Sequence, residues 1–394
     1  MMKNRLYRTL GIVTTAALII FSAAASDSEA TPRTEKSLPS QRGKFKLMKL
    51  NMELGRSGHS VTFLKDGLML ISGGGWGDWG GEPKAEIIDT KSERVRTLES
   101  KLSTPISNAT TVTLPDGRVL MMGGDTDFET GLNSTEYFDP ATEAFSQGPE
   151  MTVGRSGHSA TPLSDGRIVI VGGEQADGQL DSIEIFDPTT LSFQPLKIHL
   201  SVPRAHHTAT LFDGKKILIA GGESRDGILD SLEWIDLEKM EAVPVATPMS
   251  LPRTYHTVTA LNSDELLISG GLVNYGESTW DMEILNLKTQ KFQAAGRLQA
   301  PRSLHTATVL QSGEIFFAGG VASGVPLAST ERCQRTPAGV FECRPDANMS
   351  TPRWMHVSSP LPDGRILVVG GLTNKKEPKQ RSAGPSHTAE IFTP

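Results

Sequence analysis

Six arginines each stand three residues ahead of a histidine: Arg56 and His59, Arg155 and His158, Arg204 and His207, Arg253 and His256, Arg302 and His305, Arg353 and His356. A glutamate follows each pair, at Glu86, Glu184, Glu233, Glu283, Glu331 and Glu390; Glu136 holds the same place behind Ile106 and Ala109, where the Arg and His are missing. Guanidinium, imidazole and carboxylate together could bind an anion or move a proton. Their recurrence points elsewhere, because a catalytic residue is needed once and a scaffold residue in every unit. Residues two apart on a strand share a face, so each His is expected to be buried between units and hydrogen-bonded there. Each Arg is expected to pair with a repeat Glu, since an unpaired buried charge is very costly. The alternative is a ring of arginines lining an anion-binding channel.

Other residues of chemical interest fall outside this pattern. Cys333 and Cys343 make an even count, which suggests one disulfide across a hairpin; Cys-x9-Cys is not a redox motif. Asp125, Asp127, Glu129 and Gly131 hint at calcium without completing a calcium loop. No metal or cofactor is expected. The non-repeating aromatics are a better guide to binding: Trp76, Asp78 and Trp79 set in glycine, Tyr275 and Trp280, Tyr255, and Trp354 between Arg353 and His356. Lys375, Lys376, Lys379 and Arg381 make a basic loop near the end of the chain. Exposed rings set in glycine suit stacking on sugars or anchoring a partner, and these residues are the expected ligand-binding set. Rings covering the rim of a core are the competing reading.

The elements that must carry these residues repeat too. Glycine pairs stand at 73–74, 123–124, 172–173, 221–222, 270–271, 319–320 and 370–371, always 49 to 51 residues apart. Such a period marks a repeat architecture. Within a unit, an alternating β-rich run such as His207–Leu211 leads through a turn, often Asp-Gly, into an apolar run such as Ile217–Ala220 that ends at the glycines. A strand carrying the Glu follows, then one centred on an aromatic (Phe145, Phe193, Phe292, Phe341). The glycines serve a tight backbone exit rather than a phosphate loop, since no Lys-Ser/Thr or helix start follows them. Four antiparallel strands repeated radially make a propeller blade. The expected fold is an all-β, seven-bladed propeller of four-stranded antiparallel blades over residues 44–394. The last repeat stops after its third strand, and Lys44–Met48 resembles a fourth; the ring is therefore expected to close with an N-terminal strand in the last blade.

Arg-x-x-His, an apolar strand, Gly-Gly, Glu-x-Phe-Asp-Pro and an outer aromatic resemble the kelch repeat, across residues 44–394. The resemblance implies a propeller of the kind shared by eukaryotic substrate adaptors, galactose oxidase and periplasmic sialic-acid mutarotases. Copper chemistry of the galactose oxidase kind would need clustered Tyr, Cys and His. With only Tyr137, Tyr255 and Tyr275 beyond the leader and both Cys expected to pair, that chemistry is disfavoured.

The chain opens with Lys3, Arg5 and Arg8, an apolar run from Leu10 to Phe21, then Ser22-Ala23-Ala24-Ala25, the pattern of a secretory signal peptide over residues 1–25. Cleavage after Ala25 or Ala30 fits. Residues 26–43 read as a linker. Losing three positive charges and no acids takes the net charge from −6 to −9, which argues against nucleic acid as a partner. The reading is a monomeric, exported scaffold, periplasmic or extracellular and without a membrane span, that binds a protein or glycan through the loops of one face. The alternative is a carbohydrate-active enzyme resembling the mutarotases.

Overall fold

The computed structural model describes residues 42–48, 51–75, 81–126, 130–374 and 384–394. Residues 1–25, the expected leader, and nearly all of the expected linker lie outside them. The described chain is all β apart from a 3-10 turn at Lys65–Gly67. No helix among the described residues is long and apolar enough to cross a membrane.

Each repeat builds a four-stranded antiparallel meander. In the third repeat these are Ser159–Pro162, Ile168–Val171, Ser182–Asp187 and Ser192–His199, hydrogen-bonded in that order. The first two strands meet at a turn in which the Asp165 carboxylate accepts from the Arg167 N–H and Gly166 takes φ 87°. The second strand is buried along its whole length because sheets cover both of its faces. Val112, Leu120 and Met122 of the second repeat pack there against Ile168, Ile170 and Phe186 of the third. Each such side chain is worth about 1.5–3 kcal/mol when fully buried. Between the fifth and sixth repeats, a parallel bridge at Gly296 and Phe341 joins two meanders into one eight-stranded sheet.

The glycine pairs form the joint between neighbours. In six of the seven pairs the second glycine donates its N–H to the carbonyl of the next repeat's arginine, as from Gly173 to Arg204 at 2.9 Å. The last pair returns to the start of the chain, with Gly371 donating to Arg56 at 2.8 Å. At the first glycine there is no room for a side chain: a Cβ on Gly172, at φ 59°, would lie 2.5 Å from the Arg204 carbonyl oxygen.

Lys44–Leu47 pairs antiparallel with Ala389–Thr393, Phe45 facing Phe392, so a strand from the start of the chain is the fourth of the last repeat's sheet. The first strands of the first and last repeats, Ser57–Phe63 and Val357–Pro360, also pack together. Cys333 and Cys343 face each other on adjacent strands and form a disulfide.

Candidate functional site

The repeated charges are locked into the frame. Arg56–Glu86, Arg155–Glu184, Arg204–Glu233, Arg253–Glu283, Arg302–Glu331 and Arg353–Glu390 are buried ion pairs at 2.7 to 3.2 Å. Each arginine also donates to the carbonyl of its own repeat's first glycine, as Arg204 does to Gly221 at 3.0 Å. Each glutamate accepts a backbone N–H from the segment leading into the first strand, as Glu233 does from Ser201 at 2.7 Å. Where the arginine is missing, Glu136 takes the Ser103 N–H and hydroxyl instead. These groups hold the meanders together and are spent in doing so.

The histidines stitch repeat to repeat. His158 Nε2 lies 2.8 Å from the Thr110 hydroxyl of the preceding repeat, and Ser159–His207, Thr208–His256, Thr257–His305 and Thr306–His356 follow at 2.9 to 3.2 Å. Burial, with the arginines adding to it, holds His59, His158, His256 and His356 near a pKa of about 3. His59 departs from the expectation of a hydrogen bond, since neither of its ring nitrogens has a partner. The cause lies in the preceding repeat around the joint: the residue after its histidine is Val357, where five others carry the Ser or Thr that meets the next ring.

Two positions per repeat lie beside this lattice and are free to vary. One is the residue just before the repeat histidine, held at positive φ: Asn108 at 58°, His206 at 55°, Tyr255 at 54°, Leu304 at 58° and Met355 at 57°, with Gly58 and Gly157 in the other two. The second is the residue after the glycine pair. Short antiparallel bridges tie the residue ahead of the first position to the second, as at Ser156 and Glu174 or Ala205 and Glu223, and so bring the two positions close. His206 Nε2 consequently lies 3.1 Å from Glu174 Oε1 and 3.6 Å from Glu223 Oε1. The Tyr255 ring lies tilted against that of His206, with the centroids 4.9 Å apart. Burial raises the pKa of the Glu174 carboxyl, but the neighbouring His206 outweighs it and holds the group below its ordinary value. Burial, reinforced by the Glu223 and Glu174 charges, pushes the Tyr255 phenol well above its own. An imidazole between two carboxylates, beside a buried phenol, can hold a cation or shuttle a proton.

The structure places the expected ligand-binding residues unevenly. Tyr275 is exposed on the loop after the fifth glycine pair, and Trp280 is exposed with the Arg297 guanidinium 5.4 Å from its ring. Tyr255 is buried. Trp354 is only partly exposed, because it packs with Tyr255, Leu304, Val321, Met355 and Leu372 into an apolar plug. Trp76, Asp78, Trp79, Lys375 and Lys376 lie outside the described residues, as do Asp127 and Glu129. Glu174, His206 and Glu223 are the residues that repeat-wise reading misses. Their signal is in the sequence: Gly-Gly-Glu twice in succession, and a doubled histidine, His206-His207, in one repeat only.

A family model described as the KLHDC2/KLHL20/DRC7 Kelch-repeats domain matches residues 148–320, and a Kelch motif model matches residues 108–152. No curated protein matches the chain. Among solved structures, the chain is similar to a fungal alcohol oxidase of the AA5 family in complex with copper. The TM-score is 0.73 at 17% identity, covering 90% of this chain and 77% of the oxidase. That degree of likeness speaks for the fold.

Proposed function

The chain is a kelch-repeat protein, and from that premise we propose that it is an exported binding scaffold which holds a protein or glycan partner on the loop face of a seven-bladed propeller. The blades are the repeats, and Lys44–Leu47 closes the ring as the outer strand of the last one. The observation that carries the reading is that every repeat Arg and Glu is buried in a frame contact, while Tyr275 and Trp280 stand exposed on the loops of one repeat. Trp76, Trp79, Lys375 and Lys376, which lie outside the described residues, complete the proposed ligand-binding set. Export is supported by the charged and apolar leader and by the Cys333–Cys343 disulfide, which persists in oxidising compartments. The mature protein is proposed to start after Ala25 or Ala30, to be monomeric, and to have no nucleic-acid partner.

The oxidase's copper does not carry over. Both cysteines are consumed in the disulfide, and the metal-capable neighbour they share is Glu331, with no Tyr or His in that group among the described residues. A carbohydrate-active enzyme is the second reading, favoured by Glu174 and Glu223, whose carboxylates come within 4.8 Å of one another and reach solvent.

The test is a thermal-shift and tryptophan-fluorescence screen of the purified protein against sugars, sialic acids included, alongside a pull-down. A shift lost in Tyr275→Ala or Trp76→Ala supports a glycan on the loop face. Turnover that survives those changes but is lost in Glu174→Gln supports the enzyme. Silence in the screen and in the pull-down sinks both.

A further inference from the structure

We propose that Glu174, His206 and Glu223 form a binding site for one divalent transition-metal ion of the zinc class. The donor set is one imidazole nitrogen and two carboxylate oxygens, the chemistry of zinc, cobalt and manganese sites rather than of calcium, which takes oxygen only. The spacing fits as well. Ligands at about 2.0–2.1 Å around a tetrahedral ion stand roughly 3.3 Å apart, and the two histidine–carboxylate separations, 3.1 and 3.6 Å, bracket that edge. All three donor atoms lie within 4.8 Å of one another.

The donors are held by backbone, not by flexible loops. Glu174 N–H donates to Ser156 O at 2.8 Å, Glu223 N–H to Ala205 O at 2.9 Å, and His206 N–H to Gly157 O at 2.8 Å. The imidazole has its place because Gly157 has no side chain: a Cβ there would lie 2.5 Å from His206 Cε1. His206 itself is kept at φ 55°, a conformation disfavoured for its side chain, in a position that two other repeats fill with glycine. Its side chain is 1% exposed, whereas those of Glu174 and Glu223 are 26% and 17% exposed, which leaves a path in from solvent. Three protein ligands leave a fourth position open to water or to a ligand. The metal takes the lone pair of His206 Nε2 with the ring's remaining proton on Nδ1, so binding to the imidazolium releases one proton to solvent and binding to the neutral ring only requires that tautomer.

The experiment is titration of the chelator-stripped, purified protein with Zn²⁺ and with Co²⁺, followed calorimetrically and by the visible absorption of bound Co²⁺. One equivalent is expected, with the intense bands of low-coordinate cobalt. Glu174→Gln and Glu223→Gln should each weaken binding by at least about tenfold. Metal-free melting of both variants is measured in parallel, and if Glu223→Gln does not fold, Glu174→Gln, the mutation of the more exposed carboxylate, decides alone. No uptake by the folded protein, unchanged affinity in a folded variant, or binding of Ca²⁺ in preference to Zn²⁺ and Co²⁺ would each overturn the assignment.

Discussion

The same two backbone positions build a polar pocket in one part of the ring of repeats and an apolar plug in another, with Tyr255 touching both. In the third and fourth repeats the residues after the glycine pair are Glu174 and Glu223, facing His206. In the last three they are Leu272, Val321 and Leu372, packed with Leu304 and Met355. The backbone hardly changes between them: His206 and Leu304 share a left-handed φ within a few degrees, 55° and 58°, and bridges of one kind tie Glu223 to Ala205 and Val321 to Ser303. The frame therefore fixes where these side chains stand and leaves open what they are. Chemistry in this protein is to be sought in positions that the repeat does not specify.

The frame should be the part that fails on acidification. His59, His158, His256 and His356 are buried in the neutral form with pKa values near about 3, because of burial and the adjacent arginines. In the unfolded chain they titrate at about 6.5. Between these values the unfolded state binds more protons, so stability is complete above the unfolded pKa and falls as the pH drops toward the folded one. Each such ring removes about 1.4 kcal/mol per pH unit in that window, and several act together. Urea midpoints at pH 7.5, 6.0 and 5.0 should decline steeply; a flat series would mean that the rings take up protons as readily in the folded state as in the unfolded one.

Next in size is the loss of one frame cation. Arg302→Ala leaves Glu331 buried with its 2.7 Å partner gone and should cost about 3–5 kcal/mol. The second repeat shows how the cost can be avoided, with Ile106 in the arginine's place and neutral donors on Glu136. Arg302→Ile with Glu331→Gln should therefore recover part of the loss. Equal destabilisation by the single and double changes would show that the charge was not the source of the cost.

The contrast between pocket and plug can be sharpened directly. Leu372→Ala removes buried apolar volume from the plug and should cost about 2–5 kcal/mol. Glu223→Gln changes a partly exposed carboxylate and should move the urea midpoint far less. If the two cost the same, the pocket is as much a part of the core as the plug is.

Legibility in the sequence follows this division. The glycine pairs, the Arg and Glu of each repeat and the alternating strands could be read because each recurs for a mechanical reason at a fixed spacing. Even the pairing of Lys44–Leu47 with the last strand followed from a count of strands per repeat. Glu174, His206 and Glu223 were illegible because they lie 17 to 49 residues apart in sequence and meet only where neighbouring repeats pack. For Trp354 the sequence leaves an exposed ring and a ring covering the rim of the core both open; the bridge to Leu372 sets it beside the plug, partly exposed.

The smallest effect probes the joint where the first and last repeats meet. His59 is the one frame imidazole, among those described, with neither nitrogen hydrogen-bonded, and its counterpart residue in the last repeat is Val357, on a strand packed against that of His59. At the corresponding place in the sixth repeat, Thr306 meets His356 at 3.1 Å. Val357→Thr keeps the shape of the side chain and supplies the missing hydroxyl. One satisfied hydrogen bond is worth about 1 kcal/mol, and Val357 is only partly buried, so the exchanged methyl costs little. The urea midpoint should rise by that amount, and it should not rise in a His59→Phe background. A gain in both backgrounds would place the benefit at strand 357–360 itself; no gain in either would mean that His59 has already found its partner in bound water.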